Sequence, residues 1–281
     1  MAGSSKALFQ GPTLNKGITM PWLGLGVYKA KDGEEVVRAI QTAAEAGYRS
    51  IDTARIYANE EGVGKGIRES GVPRDEWFIT TKVWATDEGY ETTLQAFETS
   101  RKRLGLEVVD LYLVHWPVRG MYRDTWKALV HLYQEGAVRA IGVSNFEINH
   151  LEEVIGDTGV VPAVNQVELQ PLLTRKPLLA YANSHNIRLT AWSPLMRGKF
   201  NLPLISELAQ KYQKTNAQII LRWNIQNGVI VIPKSVNPER ILENSQIFDF
   251  EISTEDLQRI DGLDQDKHLG DTVELINEKF A

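Results

Sequence analysis

The sequence predicts a single-domain α/β protein, a (β/α)8 TIM barrel with an N-terminal β-hairpin and extra helices. Two observations lead to this fold class. Eight short apolar or β-branched segments alternate with segments of helical periodicity along the whole chain. Most of these segments start about 25 to 33 residues after the one before, and a repeated strand-plus-helix unit of this size is typical of a closed barrel of about 250 residues.

The predicted elements begin with a hairpin around residues 15–17, where Asn, Lys and Gly form a turn signal. Runs rich in valine, isoleucine and aromatic residues, bounded by polar or turn residues, then predict the strands. In chain order the eight strands are Leu23–Val27, Tyr48–Asp52, Trp77–Val83, Asp110–His115, Val138–Ser144, Ala163–Leu169, Arg188–Ser193 and Val229–Ser235.

The intervals between the strands carry helical patterns. The clearest is Glu34–Ala46, where apolar residues recur on one face and Gly47 supplies a C-terminal cap. The long last interval holds two helices, with Thr215 as the N-cap of the second. The other predicted helices are Glu91–Leu104, Asp124–Glu135, Glu147–Ile155, Arg175–Asn186, Leu204–Lys214, Asn216–Gln226 and Asn237–Ser245.

An open doubly wound sheet is the rival for such a pattern, but it usually carries a G-x-G-x-x-G fingerprint between a strand and a helix. The first strand has two glycines, yet Lys29 occupies the position of the third. The glycines of residues 62–66 do not form a phosphate loop, because Asn59 and Gly66 stand where that motif needs Gly and Ser or Thr. We expect these glycines to let a helix pack closely on the sheet.

Composition and termini narrow the function classes. Residues 1–12, MAGSSKALFQGP, resemble a linker with an engineered protease site, so the barrel domain is assigned to residues 13–281. The 31 Lys and Arg against 36 Asp and Glu give a net charge of −5 without a basic run, so nucleic acid is not an expected partner. The absence of cysteine removes thiolate and disulfide chemistry. Without a membrane span or leader, we expect a cytoplasmic protein.

Polar residues at the carboxyl ends of barrel strands point to the catalytic face. Singly, each such residue has a structural explanation, since an Asp can cap a turn and a His or Trp often belongs to the core. Together they predict an active site at this end of the barrel. They are Asp52 with Tyr57 in the following loop, Lys82 with Trp84, His115 with Trp116, Ser144 with Asn145, Gln166 with Glu168, Trp192 with Ser193, and Lys234 with Ser235.

Four of these residues suggest acid catalysis. A buried unpaired ammonium is costly, so Lys82 is expected to pair with Asp52 and to lie beside the Tyr57 phenol. A nearby ammonium lowers the pKa of a phenol from its usual value of about 10, which makes it a better proton donor to a developing alkoxide. His115 is expected to orient a carbonyl oxygen. The aromatic walls of the site are expected from Tyr28, Trp84 and Trp116.

Five segments resemble a known family: GYRSIDTA (47–54) with Tyr57 and NEE (59–61), TTKVW (80–84), DLYLVHWP (110–117), IGVSNF (141–146) and IPKS (232–235). In the same order, over about residues 13–265, they resemble the aldo-keto reductases. Within that family the chain is similar to the bacterial and protozoal branch of glyoxal and methylglyoxal reductases, 2,5-diketogluconate reductases and a prostaglandin F synthase.

The resemblance implies an NADPH-dependent reductase of small aldehydes and ketones. Tyr57 is implied as the general acid, Lys82 and Asp52 as the pair that tunes it, and His115 as the residue that orients and binds the substrate carbonyl. The cofactor supplies the hydride, and the protein orients and protonates.

The cofactor site is implied in the same way. Ser144, Asn145 and Gln166 match the residues that hydrogen-bond the nicotinamide carboxamide, and Trp192 matches the residue that stacks on its ring. The loop that passes the pyrophosphate is matched by Ser193, Pro194 and Leu195.

The preference for NADPH over NADH has a local signal of its own. Lys234, Ser235 and Arg240 offer two cations and a hydroxyl at the start of a helix, which suits a ribose 2′-phosphate. By resemblance, Glu243 and Asn244 lie against the adenine, although Glu243 has the alternative of pairing on its own helix face.

Two other function classes stay open. A nucleotide-sensing binding subunit of the same fold would bind the cofactor with little turnover. A hydrolase on the same barrel would need metal ligands or paired carboxylates at the strand ends, and the sequence has neither pattern. The segment after Asp264 departs from the family pattern, so the physiological carbonyl is left open. The family implies a monomer.

Overall fold

The computed structural model describes residues 11–15 and 17–280 and confirms the predicted barrel. Eight parallel strands pair in chain order in one sheet. The sheet closes because Leu23 and Gly26 form parallel bridges with Val231 and Lys234. The strands are β1 (Leu25–Gly26), β2 (Ser50–Asp52), β3 (Phe78–Val83), β4 (Val109–Val114), β5 (Val138–Ser144), β6 (Val164–Glu168), β7 (Arg188–Trp192) and β8 (Ile230–Val231).

β1 and β8 are shorter than the predicted strands 23–27 and 229–235. At this seam the strands are joined by separate hydrogen bonds, such as Gly24 N to Val231 O at 2.9 Å and Gly26 N to Pro233 O at 3.2 Å. Pro233 has no N–H to donate. The regular ladder is therefore interrupted where the barrel closes.

The N-terminal hairpin covers the amino-terminal end of the barrel. Thr13 and Thr19 form an antiparallel bridge, although the predicted tip includes Lys16, which lies outside the described residues. The linker and most of the protease site that the sequence predicts fall on residues 1–10, which also lie outside them. Leu14 and Met20 pack against apolar strand residues: Phe78, Leu111, Leu113, Ala140, Ala163, Val164 and Ile230.

Eleven α-helices occur in the described part of the chain, most of them close to predicted bounds, and Thr215 caps α8 with a capping box as expected. For α2, α10 and α11 the sequence predicts no bounds. The helices are α1 (Glu34–Glu45), α2 (Glu60–Glu69), α3 (Tyr90–Leu104), α4 (Tyr122–Gln134), α5 (Ile148–Thr158), α6 (Lys176–Ser184), α7 (Pro203–Tyr212), α8 (Asn216–Gln226), α9 (Pro238–Ser245), α10 (Thr254–Asp261) and α11 (Val273–Phe280).

The glycines of α2 were expected to bring a helix close to the sheet, and this expectation is wrong. They pack α2 against its helical neighbours instead. A Cβ on Gly62 would lie 2.5 Å from Val36 Cγ1 of α1, and a Cβ on Gly64 would lie 2.2 Å from the carbonyl oxygen of Leu104 at the end of α3. These glycines therefore permit helix-to-helix contact in the outer ring.

The last helix, α11, lies over the carboxyl-terminal end of the barrel. Ile276 is buried in a small apolar cluster with Ala85, Trp116 and Val118, which follow β3 and β4. The Phe280 ring lies 5.8 Å from the Trp84 ring, edge to face. Within residues 11–15 and 17–280, no helix is both long and apolar enough to cross a membrane.

Glu88, in the loop that joins β3 to α3, gives a test of this packing because its carboxyl group is buried. Neither oxygen has a hydrogen-bond partner among the described side chains and backbone that meets normal geometry. Burial raises the pKa of Glu88 well above 4.5, and the nearby Val118 amide offsets only part of this shift. The folded protein therefore holds the Glu88 proton to higher pH than the unfolded chain does, and the stability this contributes is lost as the pH rises.

Glu88→Gln cannot titrate at this position. We predict that the difference in the free energy of unfolding between this variant and the wild type changes by about 1–3 kcal/mol in favour of the variant when the pH is raised from about 5 to about 8. Urea titrations at the two pH values measure this gain. Glu91→Gln, on the exposed surface of α3, is the matched control and should show no such gain. Equal pH dependence of Glu88→Gln and the wild type would contradict the prediction.

Candidate active site

A cavity of about 220 Å³ opens at the carboxyl ends of the strands. Lys82 lies beneath it and is fully buried. Pro194, Leu195, Ser235, Arg240, Glu243 and Asn244, which the sequence also proposes, lie outside the lining. The predicted residues that line the cavity are Tyr28, Asp52, Tyr57, Trp84, His115, Trp116, Ser144, Asn145, Gln166, Trp192, Ser193 and Lys234.

The Lys82 ammonium is held by three oxygen atoms. Alternation along β3 places Lys82 on the same face as Phe78, which faces the barrel interior. Its Nζ donates to Asp52 Oδ1 at 2.6 Å and to the Thr53 carbonyl oxygen at 2.9 Å, and lies 3.4 Å from Tyr57 Oη. The predicted contact between these three side chains is therefore present.

The pKa of Tyr57 differs from the expectation. Burial, followed by the charge of Asp52, raises the pKa of Tyr57 well above 10, whereas the sequence analysis expected Lys82 to lower it. The expectation failed mainly because it left out the burial of the phenol, and also because the ammonium lies closer to Asp52 Oδ1, at 2.6 Å, than to the phenol oxygen, at 3.4 Å. Burial also lowers the pKa of Lys82, and Asp52 opposes that shift. The phenol is thus held in its protonated form.

His115 follows β4 and is almost fully buried beside Tyr57. The Tyr57 and His115 ring centroids are 5.9 Å apart, and Trp84 contacts the imidazole edge to face at 5.2 Å. Burial, and then the charge of Lys82, lower the pKa of His115 well below 6.5. The imidazole is therefore neutral near pH 7. Its Nδ1 has no hydrogen-bond partner in the described part of the molecule.

A hydrogen-bonded row of side chains forms the opposite wall. Gln166 Nε2 donates to Asp52 Oδ2 at 2.7 Å, and the Gln166 carbonyl oxygen accepts from Ser144 Oγ at 2.7 Å. Asn145 Nδ2 donates to Ser144 Oγ at 3.1 Å, while Asn145 Oδ1 accepts from Trp192 Nε1 at 2.8 Å. Asn145 has a φ of 64°, a left-handed conformation that Asn tolerates well. These hydrogen bonds fix the orientation of the two side-chain amides and of the Trp192 indole ring.

Two cations stand near the start of α9. Lys234 lines the cavity, and Arg240 lies in the first turn of the helix, where Asn237 Oδ1 accepts from its backbone N–H at 3.0 Å. Neither cation forms an ion pair with any residue of 11–15 or 17–280. Glu243 accepts from Thr215 Oγ1 at 2.9 Å. This contact joins α9 to the N-cap of α8, so it differs from the pairing on its own helix face that the sequence left open for Glu243.

Five lining residues were not proposed from the sequence: Gly26, Ile56, Arg197, Ile232 and Asp271. Ile56 belongs to the one-turn 3-10 helix Arg55–Tyr57, and Arg197 has a φ of 53° in the loop after β7. Asp271 is brought in by the segment before α11. None of them is the last residue of a predicted strand, so the search for polar strand ends could not find them.

A second cavity, of about 270 Å³, lies outside the barrel next to the start of α2. It is lined by Asp32, Arg55, Ala58, Glu60, Glu61 and Arg103, without an aromatic wall. No group of three or more His, Asp or Glu side chains suited to a metal ion occurs in the residues that the structure describes. The cavity at the strand ends is therefore the candidate active site.

These features define a TIM barrel with a buried cluster of titratable side chains at the carboxyl ends of its strands. The sequence profile of the Aldo/keto reductase family matches residues 22–265, and the chain belongs to that family. It is thus an oxidoreductase of a carbonyl-reducing class.

Known proteins of similar sequence and structure match this chain along nearly its whole length. Glyoxal reductase of Bacillus subtilis is 54% identical over 258 residues, which cover 92% of this chain and 94% of that protein. The 9,11-endoperoxide prostaglandin H2 reductase of Trypanosoma cruzi is 53% identical over 262 residues, which cover 92% of this chain and 93% of that protein. A crystal structure of a Gox0644 mutant in complex with NADPH has a TM-score of 0.89 at 45% identity, covering 94% of this chain and 97% of that chain.

The Lys82–Asp52 pair yields a prediction about stability. Asp52→Asn removes the negative charge opposite a fully buried ammonium, so we expect it to lower the free energy of unfolding by about 3–5 kcal/mol. Urea denaturation measures the loss. The double variant Asp52→Asn with Lys82→Met also removes the unpaired ammonium and should recover much of the lost free energy of unfolding. A double variant no more stable than the single one would count against this account.

Proposed function

We propose that this protein reduces small aldehydes and ketones to alcohols with NADPH as the hydride donor. The observation that carries the proposal is the contact between the buried Lys82–Asp52 pair and the Tyr57 phenol. Beside it lies a neutral His115, whose Nδ1 has no hydrogen-bond partner among residues 11–15 and 17–280. A proton donor and a hydrogen-bonding group thus meet at the floor of one cavity.

The residues of the cavity fit a nicotinamide nucleotide. Ser144, Asn145 and Gln166 present hydroxyl and amide groups of the kind that bind a carboxamide, and Trp192 beside them presents an aromatic face. When bound, the cofactor supplies the hydride for carbonyl reduction. The loop 193–195 follows directly and is proposed to pass the pyrophosphate, and Asn244 with Glu243 to contact the adenine.

Tyr57 is proposed as the acid that protonates the substrate oxygen. Its raised pKa keeps the phenol protonated in the resting enzyme, which is the state that a proton donor needs. Once the proton leaves, the Lys82 ammonium 3.4 Å away stabilises the phenolate that remains. Asp52 keeps this ammonium in place and offsets the cost of burying it.

His115 is proposed to orient the carbonyl oxygen. Because the imidazole is neutral, it can donate one hydrogen bond without adding a full positive charge beside Lys82. Tyr28, Trp84 and Trp116 form the aromatic sides of the cavity. The similarity to a glyoxal reductase favours small aldehydes, such as glyoxal and methylglyoxal, as substrates. From the family resemblance we further propose that the protein acts as a monomer in the cytoplasm.

The role of Tyr57 is tested by Tyr57→Phe, which removes only the hydroxyl group. We expect kcat/KM for a small aldehyde to fall by about 10² to 10⁴, with the Kd for NADPH little changed. The absorbance of NADPH reports turnover, and fluorescence quenching reports binding. Tyr90→Phe on α3 is the matched control and should keep full activity. Wild-type rates in Tyr57→Phe would overturn the assignment, and binding without turnover in the wild type would favour the nucleotide-sensing alternative.

The role of Lys234 and Arg240 is tested by replacing each with Ala. A charge-assisted hydrogen bond to a phosphate is worth about 1.5–3 kcal/mol, so we expect NADPH affinity to fall about tenfold or more. NADH, which lacks the 2′-phosphate, should lose little. Lys65→Ala on the exposed face of α2 serves as the control. Equal losses for NADPH and NADH would refute the assignment.

A further inference from the structure

The segment between α10 and α11 crosses the carboxyl-terminal end of the barrel and is tied to β6 by one side chain. The Glu168 carboxylate accepts hydrogen bonds from the Leu269 backbone N–H, at 2.9 and 3.2 Å to its two oxygens, and from the Gly270 N–H at 3.1 Å. His268 Nδ1 lies 3.5 Å from the same carboxylate. Only 3% of Glu168 is exposed, so these two amides are its main compensation for burial.

Glu168 is well placed to align this segment with the cavity. It is the last residue of β6 and lies two residues beyond Gln166, on the same face of the strand. In the pairing of β6 with β7, its Cα partner is Trp192. One carboxylate therefore connects the segment before α11 to the strand pair that carries two of the proposed cofactor residues.

Gly270, whose N–H binds Glu168, also packs against the Trp192 indole ring. A Cβ on Gly270 would lie 2.3 Å from Trp192 Cη2 and 2.7 Å from Cζ3. The backbone of Gly270 is not in the left-handed region, so the obstacle to a side chain is space rather than φ. At the opposite side of the ring, Trp192 Nε1 is held by Asn145. The indole is thus bounded on both sides, and Asp271, the next residue, lines the cavity.

We propose that Glu168 is a positioning residue: by binding the Leu269 and Gly270 amides, it holds Gly270 against the Trp192 ring and thereby sets the width of the cavity. This rests on the proposed function, in which Trp192 faces the nicotinamide. Gly270 is the residue through which Glu168 acts, and it determines how closely ring and substrate approach.

The hydrogen bonds are tested first, in the protein without cofactor. In Glu168→Ala, hydrogen–deuterium exchange of the peptide that contains residues 269 and 270 should become at least about tenfold faster. Gly270→Ala keeps the carboxylate and tests the ring contact even if Glu168→Ala folds poorly. With 5-fluorotryptophan incorporated, the ¹⁹F resonance of Trp192, assigned with Trp192→Phe, should move in both variants.

The consequence for the site is read from binding and kinetics. In both variants we expect the KM for a small aldehyde and the Kd for NADPH to rise about threefold or more, with kcat changed by less than about twofold, because neither residue touches Tyr57 or Lys82. Glu168→Gln keeps one acceptor oxygen and should lie between the wild type and Glu168→Ala. His268→Gln, in the same segment, removes the imidazole but neither amide contact, and should behave as the wild type.

Three results would overturn the proposal: unchanged exchange in Glu168→Ala, an unmoved Trp192 resonance in Gly270→Ala, or equal effects from His268→Gln. An altered exchange rate and resonance with unchanged KM and Kd would also overturn it, since the contact would then be structural only. If the wild type bound NADPH but reduced no carbonyl, the reductase proposal would fail, whereas exchange, resonance and NADPH affinity would still decide the role of Glu168.

Discussion

The structure of the site depends on one buried ammonium. Lys82 projects into the barrel and is fully buried, so the fold must supply the partners that solvent would otherwise provide. Asp52 at the end of β2 and the Thr53 carbonyl do so at hydrogen-bonding distance. The Tyr57 phenol lies beside the ammonium because the 3-10 turn Arg55–Tyr57 begins two residues after Thr53. The electrostatic requirement of one lysine therefore determines where the proposed acid stands.

From that ion pair, hydrogen bonds extend along the cavity wall in a continuous sequence. Asp52 binds Gln166, the Gln166 backbone binds Ser144, and Asn145 links Ser144 to the Trp192 indole. Asp52, Gln166, Ser144 and Asn145 are buried and Trp192 is half-buried, and each partner limits the rotation of the next side chain. The acid–base floor and the proposed nicotinamide face of the site are therefore held in one network.

Much of this site could be predicted from the amino-acid sequence. Strand periodicity placed Asp52, Lys82 and His115 at carboxyl ends of strands, and in a parallel barrel all such ends meet at one face. The helix α2 was harder to predict, because its glycines weaken the helical pattern in the sequence. Their packing was also predicted wrongly, since they contact α1 and α3 rather than the sheet. Sequence spacing does not encode which neighbouring element a glycine approaches.

The pattern of strands and helices, the closed barrel, the family and the identity of the polar strand-end residues all follow from the amino-acid order, because periodicity and motif spacing are local properties. The raised pKa of Tyr57, the hydrogen bonds of Glu168 to the segment before α11, and the entry of Arg197 and Asp271 into the cavity do not. They depend on burial and on contacts between residues up to about a hundred positions apart, and such distances and solvent exclusion exist only once the chain has folded.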